Sequence, residues 1–395
     1  MVLMEKEKII KTFLEKGYQL DSNSLEFFFE NPEKQEIFIS KIKNIRIPPT
    51  ISLEFARSLI EQDVEVLKII NPFKDEKPFT IESMTKHFTS RYESIKKYFI
   101  GRFELVNLIS INKITPNTRK FSLIVMVKEK NGNSLLVEDF TGDTSVEVLD
   151  KTLDQIVLDE VIGIVCEQDD ETITVNKIIF PDIPLKRDIP KTEKDICALF
   201  LSDIFLDRSV NSEKILERIN EIKCEKIYVF VLGNISSNLE EIKNFFNQLP
   251  LNSYKIFLKG EIDPDAEVGD INFSSSAALI KIENKITILL CNGKIFSEYK
   301  KIWAGQTSEN IMLNLLKKRH LNPVFELNKR ISEEDSYTID QVPDIFISSN
   351  FGNPGITNYK GTTIISNGSF LSEPIYWLIN LRTRENIKMT LAKEI

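Results

Sequence analysis

The sequence predicts a multidomain α+β protein: an N-terminal helical module, a small β-barrel and a C-terminal α/β domain. Three observations lead there. Apolar residues recur at helical spacing through most of the first hundred residues. From Phe103 to about Phe180 the pattern changes to short strands separated by turn residues. Beyond residue 190, five apolar runs each stop at a Gly, Asn or Asp cluster, with amphipathic helices between them.

At 395 residues the chain can hold two or three cored domains. Its 42% hydrophobic and 28% charged residues are ordinary for a water-soluble protein, and the net charge of −8 argues against a chain-wide nucleic-acid footprint. Cys166, Cys197, Cys224 and Cys291 are scattered and form no C-x-x-C pair, so neither a zinc knuckle nor a disulfide framework is expected. A reducing, cytoplasmic setting fits. The N-terminus mixes charges through its apolar residues and does not read as a signal peptide. No run approaches a membrane span, so no membrane partner is expected.

Residues 1–45 read as helices, with Ile9, Ile10, Phe13 and Leu14 on one face and Gly17 as a stop. Leu25, Phe28 and Phe29 faintly resemble a sliding-clamp-binding peptide. The leading Gln of that motif is Ser22 here, so the stretch reads as a helix packing its own aromatics, and a clamp contact is unsupported. Residues 46–102 form a helical and linker region, with a helix over about Ser52–Lys68, a linker from Asn71 to Pro78, and a helix over Thr85–Arg102. His87 and Tyr92 on that last helix read as structural.

Residues 103–182 offer six strands: Leu105–Ile111, Phe121–Val127, Ser134–Val137, Ser145–Leu149, Glu160–Cys166 and Thr172–Ile179. Asn131-Gly132 signals a type I′ hairpin, and Asp139 and Gly142 read as turn formers. This many short strands in so little chain suggests a closed barrel of the OB type. Such barrels often bind single strands, and Arg119, Lys120, Lys128 and Lys130 offer local charge for DNA contact. The strands are mostly aliphatic, however, so packing against the next domain is the stronger expectation.

Pro181–Pro190 is a stiff connector into the domain at 190–395. There the apolar runs are Ala198–Ser209, Ile227–Asn234, Tyr254–Asp263, Lys285–Gly293 and Asp344–Gly352. Helices lie between them at Ser212–Ile222, Ser237–Asn247 and Ser308–Arg319. Buried strands of this kind deliver their loops to one edge of a sheet, where ligands bind.

The order of those loops resembles the calcineurin-like metallophosphoesterase fold, whose loops carry D-x-H, G-D, G-N-H-D, a later H and G-H-x-H. Here the slots read Asp203-Ile204-Phe205, Gly233-Asn234, Gly260-Glu261-Ile262-Asp263, Asn292-Gly293 and Ser349-Asn350-Phe351-Gly352. The barrel wording (SLIVMVKEKNGNSLLVEDFTGD, LDEVIGIV, IIFPDIPLKRDIP) and LLKKRHLNP resemble the small-subunit family of archaeal family D DNA polymerase. That resemblance implies an OB-fold joined to a phosphoesterase fold. It also implies a large catalytic polymerase subunit as partner, primer-template DNA reached through the complex, and a 3′→5′ exonuclease using a pair of divalent ions such as Mn²⁺ or Mg²⁺ in active members.

The residues depart from that chemistry. A two-metal site holds its ions roughly 3.5–4 Å apart, and two dications at that distance need a charged bridge. By resemblance the bridging carboxylate is Asn234, and the first-loop imidazole is Phe205. The third-loop Asn and His are Glu261 and Ile262, the fourth-loop His is Asn292, and the last pair is Asn350 and Gly352. Only Asp203 keeps its identity among these eight. The chain has two histidines, His87 and His320, and neither falls in a slot. The expectation is a scaffold subunit with no catalytic residues and no cofactor. Two alternatives stand beside it: a nuclease with a magnesium site rebuilt from Asp203, Asp207, Glu261 and Asp263, and a free-standing OB-fold single-strand binder.

Overall fold

The structure is a computed structural model. It describes residues 2–32, 35, 38–39, 42, 47–53, 55–56, 64–72, 80–170, 172–208, 212–250, 252–327, 334–349, 351–370 and 373–390. Two compact units emerge, residues 1–65 with 282–284, and 66–281 with 285–395. The barrel and the α/β domain fall within the second unit.

The first unit holds α1 (Val2–Leu14), β1 (Gln19–Leu20), α2 (Ser22–Glu30) and β2 (Thr50–Ile51), with β1 and β2 paired in parallel. Asp21 caps α2 by accepting from the Ser24 N–H. The aromatics of this stretch serve its own core: Phe28 is fully buried between Phe13 and Phe38, at ring distances of 5.1 and 5.3 Å.

β3 (Val64–Pro72), which belongs to the second unit from Val66 onward, corrects the expected helix, which was drawn as far as Lys68. The β-branched residues of VEVLKII favour the pleat over the helix, and the strand runs on through Asn71-Pro72, the first two residues of the expected linker. The rest of that linker, 73–79, and residues 57–63 lie outside the described residues. α3 (Ile81–Lys96) begins at Thr80 in a capping box with Ser83. It therefore starts earlier and ends sooner than the expected Thr85–Arg102.

The barrel closes with five strands in the order β4-β5-β6-β8-β7: β4 (Lys120–Asn131), β5 (Ser134–Asp139), β6 (Gly142–Val148), β7 (Val161–Asp169) and β8 (Thr172–Ile179). The expected sixth strand, Leu105–Ile111, is a run of turns with one bridge, Leu108 to Ser122. The hairpin after β4 turns on Gly132-Asn133, not Asn131-Gly132, because Asn131 pairs with Ser134 and only Gly132 takes a positive φ, 60°. Asp139 acts as the expected turn former, accepting from the N–H groups of Thr141 (2.7 Å) and Ile111 (2.9 Å).

Two six-stranded sheets follow. The first runs β12-β11-β10-β9-β18-β19, from β9 (Ile196–Ser202), β10 (Lys226–Gly233), β11 (Ser253–Lys259), β12 (Ile271–Phe273), β18 (Ile375–Asn380) and β19 (Asn386–Thr390). β9 to β12 are parallel, and all seven residues of β9 are buried, which accounts for its unbroken apolar run. Two helices, α4 (Ser212–Asn220) and α5 (Leu239–Asn247), pack Ile215 and Phe245 into one core with Leu199 and Val229.

The second sheet runs β16-β17-β15-β14-β13-β3, from β13 (Ser275–Ile282), β14 (Ile286–Cys291), β15 (Ile345–Ser348), β16 (Gly355–Tyr359) and β17 (Thr362–Ser366). α6 (Ser308–Lys317) packs Met312 and Leu315 into the core that holds Leu289 and Phe346. This multidomain α+β arrangement, with an OB-type barrel and paired sheets, matches the expected fold class. One expectation fails at the far ends of β9 and β10: Cys197 and Cys224 are joined as a disulfide with Cα atoms 6.2 Å apart. Parallel pairing sets β9 beside β10, and the spacing of 27 residues gave no hint of it. Among the described residues, no helix is long and apolar enough to cross a membrane.

Candidate functional site

The loops after β9, β10, β11 and β14 open at the C-terminal ends of their strands, as the apolar runs predict. Asp203 follows β9 and is 4% exposed. It takes a left-handed backbone, φ 48°, and so does Phe205, φ 51°. Asp tolerates that region, whereas for Phe it is strained, at roughly 1–3 kcal/mol. The Phe205 ring, in the slot of an imidazole, carries the Arg208 guanidinium 4.5 Å above its face.

Asn234 follows β10 and joins two loops. Its Nδ2 donates to Asp203 Oδ1 at 2.8 Å, and its Oδ1 accepts from the N–H groups of Glu261 (2.9 Å) and Ile262 (3.2 Å). One end of the side chain must donate and the other accept, which a carboxamide does and a carboxylate does not. The approach is close enough that a Cβ on Gly260 would lie 2.5 Å from Asn234 Oδ1. Ile262 therefore contributes its backbone here.

Asp263 ties the same loops from the other side. Its Oδ1 accepts from Ile235 N–H (2.7 Å) and Ser236 N–H (3.2 Å), and its Oδ2 from Gly260 N–H (2.7 Å). Burial raises its pKa, and the three N–H groups oppose that rise. Glu261 points outward and pairs with Lys294. Asn292 caps the turn after β14, accepting from Lys294 N–H at 3.0 Å. A Cβ on Gly352 would meet Ser308 Oγ and the end of the Lys300 side chain, which would have to swing aside to admit a larger residue. Asn350 lies outside the described residues.

These residues do not fit a pair of divalent ions. Asp203 and Asp263 are engaged by N–H donors, Glu261 by an ammonium, and Asp207 sits exposed on the turn beyond Phe205. Among the described residues no three of His, Cys, Asp and Glu are grouped as a metal would need.

The barrel cations are likewise engaged. Lys120 pairs with Glu167 (3.4 Å), Lys128 with Glu138 (3.1 Å) and Arg119 with Asp169 (3.5 Å). Lys130 donates to the carbonyls of Leu153 and Ile156.

Both histidines sit elsewhere, in one buried cluster. His320 Nδ1 accepts from Asn322 N–H, so its Nε2 faces Asp335 Oδ2 (2.8 Å) as a donor. Arg91 Nε donates to the same oxygen at 2.6 Å, and Arg91 also reaches His87 and the carbonyls of Asp159 and Pro323. Burial pulls the His320 pKa down to about 4. Asp335 lies well below the usual carboxylate range: burial opposes this, and His320 and Arg91 outweigh it. Nearby Lys318 and Glu160, each 1% exposed, pair at 2.7 Å. Together these links fasten α3 and the barrel to the α/β domain. The reading of His87 as structural holds, while Arg91, Glu160, Lys318 and Asp335 went unremarked. The signal available for them was charge set among apolar residues, as in LLKKRHL.

No family model matches the chain. Three curated relatives do, all described as DNA polymerase II small subunit. That of Methanothermobacter thermautotrophicus is 25% identical over 74% of this chain and 73% of its own length. That of Thermoplasma acidophilum is 23% identical over 75% and 72%. That of Archaeoglobus fulgidus is 21% identical over 92% and 91%. Among solved structures, the zinc complex of Vps29 from Entamoeba histolytica covers 50% of this chain and 94% of its own at 16% identity and a TM-score of 0.32. A predicted phosphoesterase from Streptococcus pneumoniae covers 51% and 99% at 13% and 0.28.

Proposed function

We propose that this chain, similar to curated DNA polymerase II small subunits along most of its length, is the small subunit of a family D-type DNA polymerase and serves as a scaffold for the large catalytic subunit. On this reading the family's 3′→5′ exonuclease is absent, and primer-template DNA is met through the complex. The observation that carries the loss is the Asn234 side chain, which holds Asp203 and the 261–262 backbone together by neutral hydrogen bonds. A metal-bridging carboxylate in its place would face Asp203 with like charge unless cations lay between them. The chain holds a strained left-handed backbone at Phe205, where the D-x-H pattern has an imidazole, as in a frame kept for its shape. The fastening of the barrel to the α/β domain supports a rigid body, and the carboxylates beside Arg119, Lys120 and Lys128 offset the local positive charge that a free-standing single-strand binder would use.

The test is co-expression with the cognate large subunit, followed by metal analysis and a Mn²⁺/Mg²⁺ nuclease assay on a 3′-mismatched primer. A stable complex that extends primers, carries no metal in this subunit and leaves the mismatch is the expected result. Mismatch removal that Asp203→Ala abolishes would overturn the scaffold reading in favour of a rebuilt metal site. Tight, steeply salt-dependent binding of single-stranded DNA by this chain without the large subunit would favour the free-standing binder.

A further inference from the structure

We infer that the groove between α3 and the barrel is a docking site for an amphipathic segment of a protein partner, one with apolar side chains along its length and a carboxylate at one end. On the scaffold reading, on which this inference rests, that partner is the large catalytic subunit. Two cavities make the groove, of about 400 and 440 Å³. Both are lined by Tyr92, Asp139 and Phe140, so they adjoin. Ile81, Met84, Phe88, Tyr92 and Lys96 form one wall. They recur every three or four residues and so share one face of α3. That face runs for roughly 22 Å at 1.5 Å per residue. Ile124 and Met126 line the groove from β4, and Phe140 lines it from the turn between β5 and β6.

Exposed apolar side chains gather here. Ile81 is 86% exposed, Phe140 57% and Leu108 41%, and all three line the two cavities. Scattered singly such residues mean little, but gathered in one hollow they mark a contact surface. The central aromatics are also held in place. The Phe140 ring lies 4.6 Å from that of Tyr92, whose hydroxyl donates to the Ile124 carbonyl at 2.7 Å. Asp139 pins the turn that carries Phe140, accepting from the N–H groups of Thr141 and Ile111, and Asn112 N–H donates to Thr141 Oγ1 at 3.1 Å. A partner therefore meets an aromatic that is already ordered, and less freedom is lost on binding.

Charge selects the occupant, because the groove is polarised along its length. The lining of the larger cavity sets Lys96 and Lys113 against one carboxylate, Asp139. The smaller cavity has Glu138 and Asp139 in its lining and no cation, with Lys128 beside Glu138 at 3.1 Å. Lys96 Nζ lies 5.4 Å from the Tyr92 ring and 5.9 Å from that of Phe140, and Glu93 reaches it only at 3.9 Å. Lys113 is exposed and has no ion pair among the described residues. A nucleic-acid strand, anionic at every residue, would be drawn to one cavity and repelled by the other. A second copy related by a twofold axis would bring the same hollow to this one and fill neither. A protein segment with aliphatic side chains in the smaller cavity and an Asp or Glu beside Lys96 and Lys113 suits both. Met84 and Met126 allow the apolar part to adapt to such side chains.

The test measures binding of the full chain to the purified cognate large subunit at low and high salt, with the thermal midpoint of each variant as a check on folding. Phe140→Asp should weaken the complex at least about thirtyfold. Ile81→Asp, at a side chain that is almost wholly exposed and so dispensable to the fold, should weaken it about fivefold. Lys96→Glu combined with Lys113→Glu should weaken it about tenfold at low salt and less at high salt. Leu185→Asp, at an exposed leucine of the connector outside the groove, should leave it unchanged. Equal binding by the unaltered chain and by Phe140→Asp overturns the groove and leaves the scaffold reading standing. A failure of the unaltered chain to bind the large subunit overturns both. Self-association of the chain, or its binding of single-stranded DNA, that Phe140→Asp abolishes while the large subunit still binds gives the groove to another occupant and overturns the inference.

Discussion

Two regions of this molecule treat ionisable residues in opposite ways. At the sheet edge, where a metal site would stand, the slots hold Phe205, Asn234, Ile262, Asn292 and Gly352, and the carboxylates that remain are tied to N–H groups or to a lysine. Behind the barrel, with no ligand in prospect, Arg91, His87, His320, Asp335, Glu160 and Lys318 are all buried against one another. In both regions the charges that are present are balanced by protein groups: N–H donors and a lysine at the sheet edge, ion pairs behind the barrel. A cluster of carboxylates and imidazoles without its cations is self-repelling, whereas an Arg–Asp–His cluster is closed.

The comparison breaks first if the buried cluster proves dispensable. Asp335→Ala leaves Arg91 buried without its counter-charge and should cost about 3–5 kcal/mol in denaturant unfolding. A loss below about 1 kcal/mol would mean that the cluster does not fasten the domains.

The next effect is one of pH. His320 is held neutral, with its pKa lowered from 6.5 to about 4 by burial, while Asp335 pulls it upward and Arg91 and His87 push it down. The unfolded chain therefore takes up a proton before the folded one. The stabilisation is complete above about pH 6.5 and fades as pH falls toward 4. The denaturant midpoint should drop by the equivalent of a few kcal/mol over that window, and His320→Gln should flatten the slope there.

Asn234→Asp tests the other region. It sets a carboxylate against Asp203 and removes the donor between them, so a loss of about 1–3 kcal/mol is expected at pH 7, with part of it recovered in Mn²⁺. An unchanged midpoint would mean that the loop wiring contributes little. The smallest effect is expected on the barrel: Lys120→Ala and Lys128→Ala break exposed pairs and should each change stability by less than about 0.5 kcal/mol. A clear drop in single-strand affinity on either substitution would restore the barrel as a DNA surface.

The strands that bear the loops were legible in the sequence because each is buried on both faces and so reads as an unbroken apolar run, as Ile196–Ser202 does. β3 was misread because the helical reading of the stretch before it was carried on to Lys68, past the β-branched residues that favour a strand paired with β13. Of the strands that passed unnoticed, the edge strands β16 and β19 are half-buried and alternate weakly, whereas β17 and β18 are buried apolar runs too short to stand out. At the site, the sequence could list which slots had lost their ligands, since a side chain that cannot ligate is known from its type. It could not say what the replacements do.

By itself, then, the sequence determined the order of helical module, barrel and α/β domain, and which side-chain types stand in the loops at the sheet edge. The order of elements follows from local periodicity, and the loop composition is read directly as side-chain type; both travel with the chain. Only the tertiary structure decided that Asn234 splices Asp203 to the third loop, that Cys197 meets Cys224, and that His87 and His320, 233 positions apart, share Asp335. Such contacts depend on which distant segments packing brings within 3 Å or so, and neither period nor composition carries that information.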